Sequence, residues 1–215
     1  MESRKNEYFV EKFTLQLLAD LAETSPLEWF AVISGVSYVI LVAFEKRAGW
    51  IFAAMSTFTY IYLCLIAQLY IESFLQLFYF IMAIYGWLVW KKSKTHTTPI
   101  IRWPLKYHIA NIVISGVLVL LIGYLVGSFT NQSSPYLDAF STIFSLLATF
   151  MVAKKVLENW LYWIAIDTVL IFLYASRGYA LTGVQYGVFT ILALIAYLRW
   201  RKIYISYDKN SHNRT

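Results

Sequence analysis

Asp167 is the one acid near the middle of any apolar stretch in this sequence, and Trp163 precedes it by one helical turn on the same face. A carboxylate beside an aromatic face is a receptor for a flat organic cation, through Coulomb and cation–π attraction. Asn159 stands a further turn back and is expected to extend the polar stripe. Gln76 and Gln185 fall about one turn inside the ends of two other apolar runs. An amide both donates and accepts, which suits a neutral hydroxyl- or amide-bearing ligand. Each of these polar groups also has a blander reading, a hydrogen bond that holds neighbouring helices together. Aromatics surround them, among them Tyr60, Tyr62, Tyr79, Tyr85, Trp87, Tyr174 and Tyr186. Trp50, Trp90 and Trp200 lie beside basic loops and are expected in the interfacial aromatic belt of a membrane protein.

The same inventory excludes enzyme chemistry. The chain has no HExxH motif and no glycine-rich phosphate loop, and its histidines (His96, His108 and His212) sit in loops or at ends of apolar runs. No Ser-His-Asp set, metal site or cofactor is expected from such a pattern. Cys64, the single cysteine, can form neither an internal disulfide nor a cysteine metal cluster. No basic residue lies at mid-span to hold a phosphate or other anion, which weighs against phosphorylated ligands.

The elements that position these residues follow from composition. Of 215 residues, 60% are hydrophobic and only 14% charged, so lipid is the solvent for much of the chain. The apolar runs are continuous rather than alternating, which predicts helices. Seven spans are expected near 26–44, 49–67, 72–90, 107–129, 136–153, 160–176 and 181–199. Each is close to the ~20 residues that cross about 30 Å of hydrocarbon. Ser25, Pro26 and Glu28 read as an N-cap, an N1 proline and a capping box, and Ser134-Pro135 opens the fifth span in a similar way. Residues 8–24 form an amphipathic helix too polar to span, with no signal-peptide pattern, and residues 203–215 are a polar tail. Of the 18 Lys and Arg residues, four fall on the side bearing the N-terminus and 14 on the other. The positive-inside rule then places the N-terminus outside and the C-terminus in the cytoplasm, and it accounts for the net charge of +6 without nucleic acid.

A self-match at an offset of 110 residues organises the spans: 13 identities fall in 66 ungapped positions, including Trp50/Trp160 and Trp90/Trp200. The expected division is an amphipathic segment (1–25), a first three-helix repeat (26–92), a loop and linker helix (93–135), a second three-helix repeat (136–202) and the tail (203–215). Equivalent helices are four spans apart, so the repeats are parallel: an all-α, 3+1+3 membrane fold. A cleft between two such bundles suits alternating access for a small polar molecule.

The run Glu158-Asn159-Trp160 with Trp163 and Asp167, and Gln76, Tyr79, Tyr85-Gly86-Trp87 and Trp90 in the first half, resemble the signature of the PnuC family of vitamin transporters over roughly residues 25–203. The 3+1+3 arrangement is also similar to the SWEET sugar carriers. The resemblance implies a carrier of nicotinamide riboside in the bacterial inner membrane, working by facilitated diffusion and coupled to trapping by a cytoplasmic riboside kinase. It implies that Trp163 and the tyrosines Tyr79, Tyr174 and Tyr186 pack on the ring. Gln76, Gln185 and Asn159 would bind amide or ribose, and Asp167 would compensate charge. A homo-oligomer is compatible with such a chain. Thiamine, another flat cation, is the nearest alternative cargo; a sugar carrier and a non-transporting membrane receptor are others. One departure is Gly86, whose counterpart in the second half is Ala196.

Overall fold

The computed structural model describes residues 2–68, 70–90, 99–130 and 134–212. These hold eight helices: α1 (Glu2–Glu23), α2 (Pro26–Ala43), α3 (Gly49–Ile66), α4 (Tyr70–Val89), α5 (Leu105–Phe129), α6 (Pro135–Ala153), α7 (Asn159–Ser176) and α8 (Ala180–His212). Seven of them, α2 to α8, are long and apolar enough to cross a membrane. Short connections reverse the chain between α2, α3 and α4 and again between α5, α6, α7 and α8, and Trp90 at the end of α4 meets the end of α6, so α2, α4, α6 and α8 run one way and α3, α5 and α7 the other. We refer to the end where α2 and α6 begin as proximal and the end where they finish as distal.

The expected spans match the helices to within two residues except at the C-terminus, where α8 continues to His212. The expected polar tail is therefore helical over 203–212, and 213–215 lie outside the described residues. No Gly or Pro interrupts the stretch after Trp200, so nothing in the backbone stops the helix there.

At the start of α2 the capping box is complete. The Glu28 N–H donates to Ser25 Oγ at 3.2 Å, and the Ser25 N–H donates to Glu28 Oε2 at 2.6 Å. Helix α6 differs: Pro135 takes the first position, but Ser134 makes no side-chain cap. The first-turn acid of α6, Asp138, is engaged by Arg177 instead.

The distal ends of α2 and α6 are built alike. Each closes in a Schellman motif: Glu45 N–H donates to Val42 O and Lys46 N–H to Leu41 O, while Lys155 N–H donates to Val152 O and Val156 N–H to Met151 O. Glu45 and Lys155 take the left-handed conformation at φ 55° and 54°. A third carbonyl at each end is taken by an indole. Trp200 Nε1 donates to Ala43 O at 3.2 Å and Trp90 Nε1 to Ala153 O at 3.0 Å.

These tryptophans correct the expected aromatic belt. Trp50, Trp90 and Trp200 are 1%, 5% and 0% exposed and sit in the principal core with Trp160, not at the lipid–water boundary. For Trp90 and Trp200 the physical reason is the indole N–H, which in a dry helix end finds a carbonyl acceptor as good as interfacial water; Trp50 and Trp160 are held by ring packing, their Nε1 atoms having no acceptor among the described residues. The rings pack edge to face in two matching pairs, Trp50–Trp90 at 5.5 Å and 86° and Trp160–Trp200 at 5.3 Å and 87°.

Helix α5 packs along α6 and turns long apolar side chains, such as Leu105, Val113, Val117 and Leu120, away from the protein. Helix α1 stays outside the bundle and touches only α8 among the described helices. Gly86 of α4 lets the Trp50 ring lie against its backbone; a Cβ there would stand 2.3 Å from ring carbons. Overpacking of this kind costs about 1–3 kcal/mol. Gly86→Ala is therefore expected to lower the melting temperature of the detergent-solubilised protein. Gly116→Ala and Gly187→Ala, where a Cβ meets nothing within 4 Å, are expected to hold or raise it. Equal melting temperatures for all three would contradict this packing.

Candidate functional site

Two connected cavities run through the middle of the bundle. The inner one, about 250 Å³, is walled by every spanning helix except α5. The wider vestibule, about 510 Å³, lies on its proximal side and is lined mainly by α2, α3, α4 and α8. Gly35, Ser56, Tyr79, Tyr186 and Phe189 line both, so the two meet at this ring.

Asp167 and Trp163 stand together in the inner wall, one turn apart on α7. Asp167 is 2% exposed and has no hydrogen bond or salt bridge to any described residue. The inner wall therefore holds an acid whose burial no described residue offsets. Thr57 faces the same space from α3, but its hydroxyl donates back to Ala53 O at 2.8 Å and leaves Asp167 alone. The floor toward the distal end is Trp50, Trp160 and Val152. Among the described residues no Lys, Arg or His lines either cavity.

The vestibule is polar and aromatic. Gln76 comes from α4 and Gln185 from α8, with the Tyr60 hydroxyl facing the Gln185 amide. Tyr174 and Tyr186 stack at 5.4 Å with planes 16° apart, and the Tyr79 hydroxyl reaches Ser145 across the bundle. The proximal rim is braced. Arg177 grips Asp138 through two hydrogen bonds of 3.1 and 2.9 Å, which also push its guanidinium pKa up. Helix α1 holds the α7–α8 turn beside Tyr179 and Thr182: the Gln16 amide donates to Gly178 O, and Asp20 Oδ2 accepts from Leu181 N–H at 3.1 Å.

Of the eight residues singled out from sequence, seven line this pair of cavities. Trp163 and Asp167 are in the inner one, Gln76, Tyr174 and Gln185 in the vestibule, and Tyr79 and Tyr186 at the junction. Asn159 is placed elsewhere. It is fully buried at the first turn of α7, its amide donating to Val156 O at 2.6 Å, and it lines neither cavity. A residue so close to a helix start satisfies local backbone rather than extending the stripe. Sequence reasoning did not single out Tyr38, Ser145 and Thr149 in the inner wall. Part of the wall was within its reach: stepping back 110 residues from Asp167 and Trp163 gives Thr57 and Ala53, both in the lining.

Comparison with known proteins places this architecture. A nicotinamide riboside transporter PnuC of Escherichia coli is 23% identical over 205 residues, covering 83% of this chain and 86% of that protein. The nicotinamide riboside transporter PnuC of Haemophilus influenzae is 26% identical over 188 residues, covering 83% of this chain and 82% of its own length. A crystal structure of the vitamin B3 transporter PnuC superposes with a TM-score of 0.68 at 18% identity, covering 94% of this chain and 92% of that one. The sequence profile of the family described as nicotinamide mononucleotide transporter matches residues 25–202, and with a multi-span all-α fold around a central cavity, this chain is a membrane transporter belonging to that family.

Proposed function

We propose that the protein carries nicotinamide riboside, the unphosphorylated vitamin, across the bacterial inner membrane. The observation that carries the reading is the charge of the cavity: among its described lining residues the one acid is the unpartnered Asp167, set beside Trp163, and none is basic. A pyridinium ring fits an aromatic wall with a carboxylate. Ribose hydroxyls and a carboxamide fit Gln76, Gln185 and the vestibule tyrosines. A mononucleotide would bring a phosphate dianion into a cavity with no cation to receive it, next to a carboxylate. The riboside named for the relatives therefore suits this chain better than the mononucleotide of the family description.

Transport proceeds by alternating access between two three-helix halves, 26–92 and 136–202, with α5 as the linker. In support, inner-wall residues occur as pairs 110 apart, such as Gly35/Ser145, Trp50/Trp160 and Thr57/Asp167. The carrier works by facilitated diffusion, and phosphorylation by a cytoplasmic riboside kinase maintains the gradient. The N-terminus lies outside and the C-terminus in the cytoplasm, as the asymmetry of basic residues requires.

Thiamine is the second reading, because its flat cationic ring meets the same Trp163–Asp167 wall. Titration calorimetry separates the two. The riboside is expected to bind, its 5′-phosphate and thiamine to bind far more weakly, and Trp163→Ala to weaken the riboside about tenfold. Asp167→Asn is expected to weaken the cationic riboside more than it weakens neutral nicotinamide. Binding of thiamine alone would move the cargo to that vitamin, and preference for the 5′-phosphate would contradict the charge argument.

Orientation has its own check. A C-terminal green fluorescent protein fusion is expected to fluoresce and a C-terminal alkaline phosphatase fusion to be inactive; the opposite pair of results would invert the topology.

A further inference from the structure

The distal closure of the inner cavity is made of contacts that tie the first half of the chain to the second. Trp90 of α4 reaches the last turn of α6, and Trp200 of α8 reaches the last turn of α2. The two indoles meet each other at 6.2 Å. Beside them Lys155 Nζ lies 2.9 Å from Glu45 Oε1 and 4.6 Å from the centre of the Trp90 ring. Glu45 and Lys155 are 110 residues apart in the chain, so each is the other's counterpart in the repeat. By contrast, the edge-to-face pairs Trp50–Trp90 and Trp160–Trp200 stay within one half.

We propose that Glu45, Lys155, Trp90 and Trp200 form the distal gate of the carrier, a catch that opens when the two halves separate. Separation breaks one ion pair and two indole–carbonyl bonds together and leaves each half's internal ring pair intact. A residue that bonds its own counterpart lies on the axis relating the halves, where a small rotation changes the distance least until the halves part. The backbone supports a device of this kind. Neither Glu45 nor Lys155 is glycine, yet both hold a left-handed φ, a conformation that persists only where surrounding contacts over-determine it. The Lys155 side chain is 6% exposed, so the charge pair is sheltered from salt and water. While this catch is shut, the inner cavity adjoins the proximal vestibule through the shared ring of Gly35, Ser56, Tyr79, Tyr186 and Phe189.

The inference rests on the carrier reading, and its test uses no substrate, so the two fail separately: a wrong vitamin appears as missing heat in calorimetry, a wrong gate as unchanged labelling. Thr149, in the inner wall, is replaced by cysteine in a Cys64→Ala background, and the full chain is reconstituted in lipid vesicles. A membrane-impermeant maleimide is then applied to one face at a time. With the catch intact, labelling from the distal face is slow. Lys155→Met is expected to speed it about tenfold, and the exchange Glu45→Lys with Lys155→Glu to return it near the starting rate. Trp200→Phe, which keeps a ring and loses only the N–H donor, is expected to give a smaller increase. Labelling from the proximal face should not accelerate in any of them, which shows that the bundle is folded. If Lys155→Met impairs folding, Trp200→Phe and the charge exchange carry the test. Distal rates that stay the same in the folded variants, or an exchanged pair that labels as fast as Lys155→Met, would overturn the gate.

Discussion

A helix that ends inside a protein surrounded by lipid has carbonyls with no water to turn to. The distal ends of α2 and α6 meet this constraint in the same way. The Schellman motif satisfies two carbonyls at each end, and an indole from another helix satisfies a third. Much else at this end follows. Because the donors are Trp90 and Trp200, α4 must end against α6 and α8 must pass the end of α2. Because indoles are large, Gly86 must be small beneath the Trp50 ring it meets. The loop before α5 is drawn in as well: Ile101 exchanges backbone hydrogen bonds with Lys155 and Leu157, and Arg102 pairs with Glu158 at 2.7 Å. A dry, closed end is the result, and it gives the inner cavity its floor.

The cavity above that floor obeys the opposite rule. Its polar groups are not all satisfied within the protein. An acid near the middle of a span costs about 2.5–3.5 kcal/mol to insert, and neighbours normally offset that cost. Asp167 has no such neighbour among the described residues, while Arg177, Glu158 and Lys155 toward the bundle ends all have theirs. Charges at the ends are paired, and the acid in the middle is not. The vestibule runs from a polar rim through stacked tyrosines to the aromatic wall of the inner cavity.

The spans were legible in the sequence because lipid imposes length and polarity together, and a run of some 20 apolar residues satisfies few other structures. The inward placement of Trp163 and Asp167 was legible for a related reason: an acid at mid-span is costly in lipid and is expected to turn into the bundle. The tryptophans near the loops were not. A belt tryptophan and a tryptophan that caps a helix end occupy the same place in sequence, about a turn from a basic loop, and only the third dimension shows whether water or Ala153 accepts its proton. Asn159 was misplaced for the same reason. Helical periodicity put it in line with Trp163, but at the first turn of α7 a free carbonyl lies nearer than the cavity. The helical course of 203–212 was hidden because polarity was taken as a stop signal, whereas helices are stopped by backbone, not by polarity.

Five of the identical pairs 110 residues apart gather around the distal closure. Val42/Val152, Ala43/Ala153, Trp50/Trp160, Ala83/Ala193 and Trp90/Trp200 are identical pairs, and all ten residues lie in the core around the distal closure. Trp50 and Trp160 also floor the inner cavity, but elsewhere in the cavity walls counterparts differ: Ala53 corresponds to Trp163, Thr57 to Asp167, and Gln76 to Tyr186. A contact across a two-fold relation is made twice, so one residue type serves both halves and any change must suit two places at once. Glu45 and Lys155 show where that rule gives way: counterparts that bond each other directly form an ion pair only if they carry opposite charges, so here the two positions must differ.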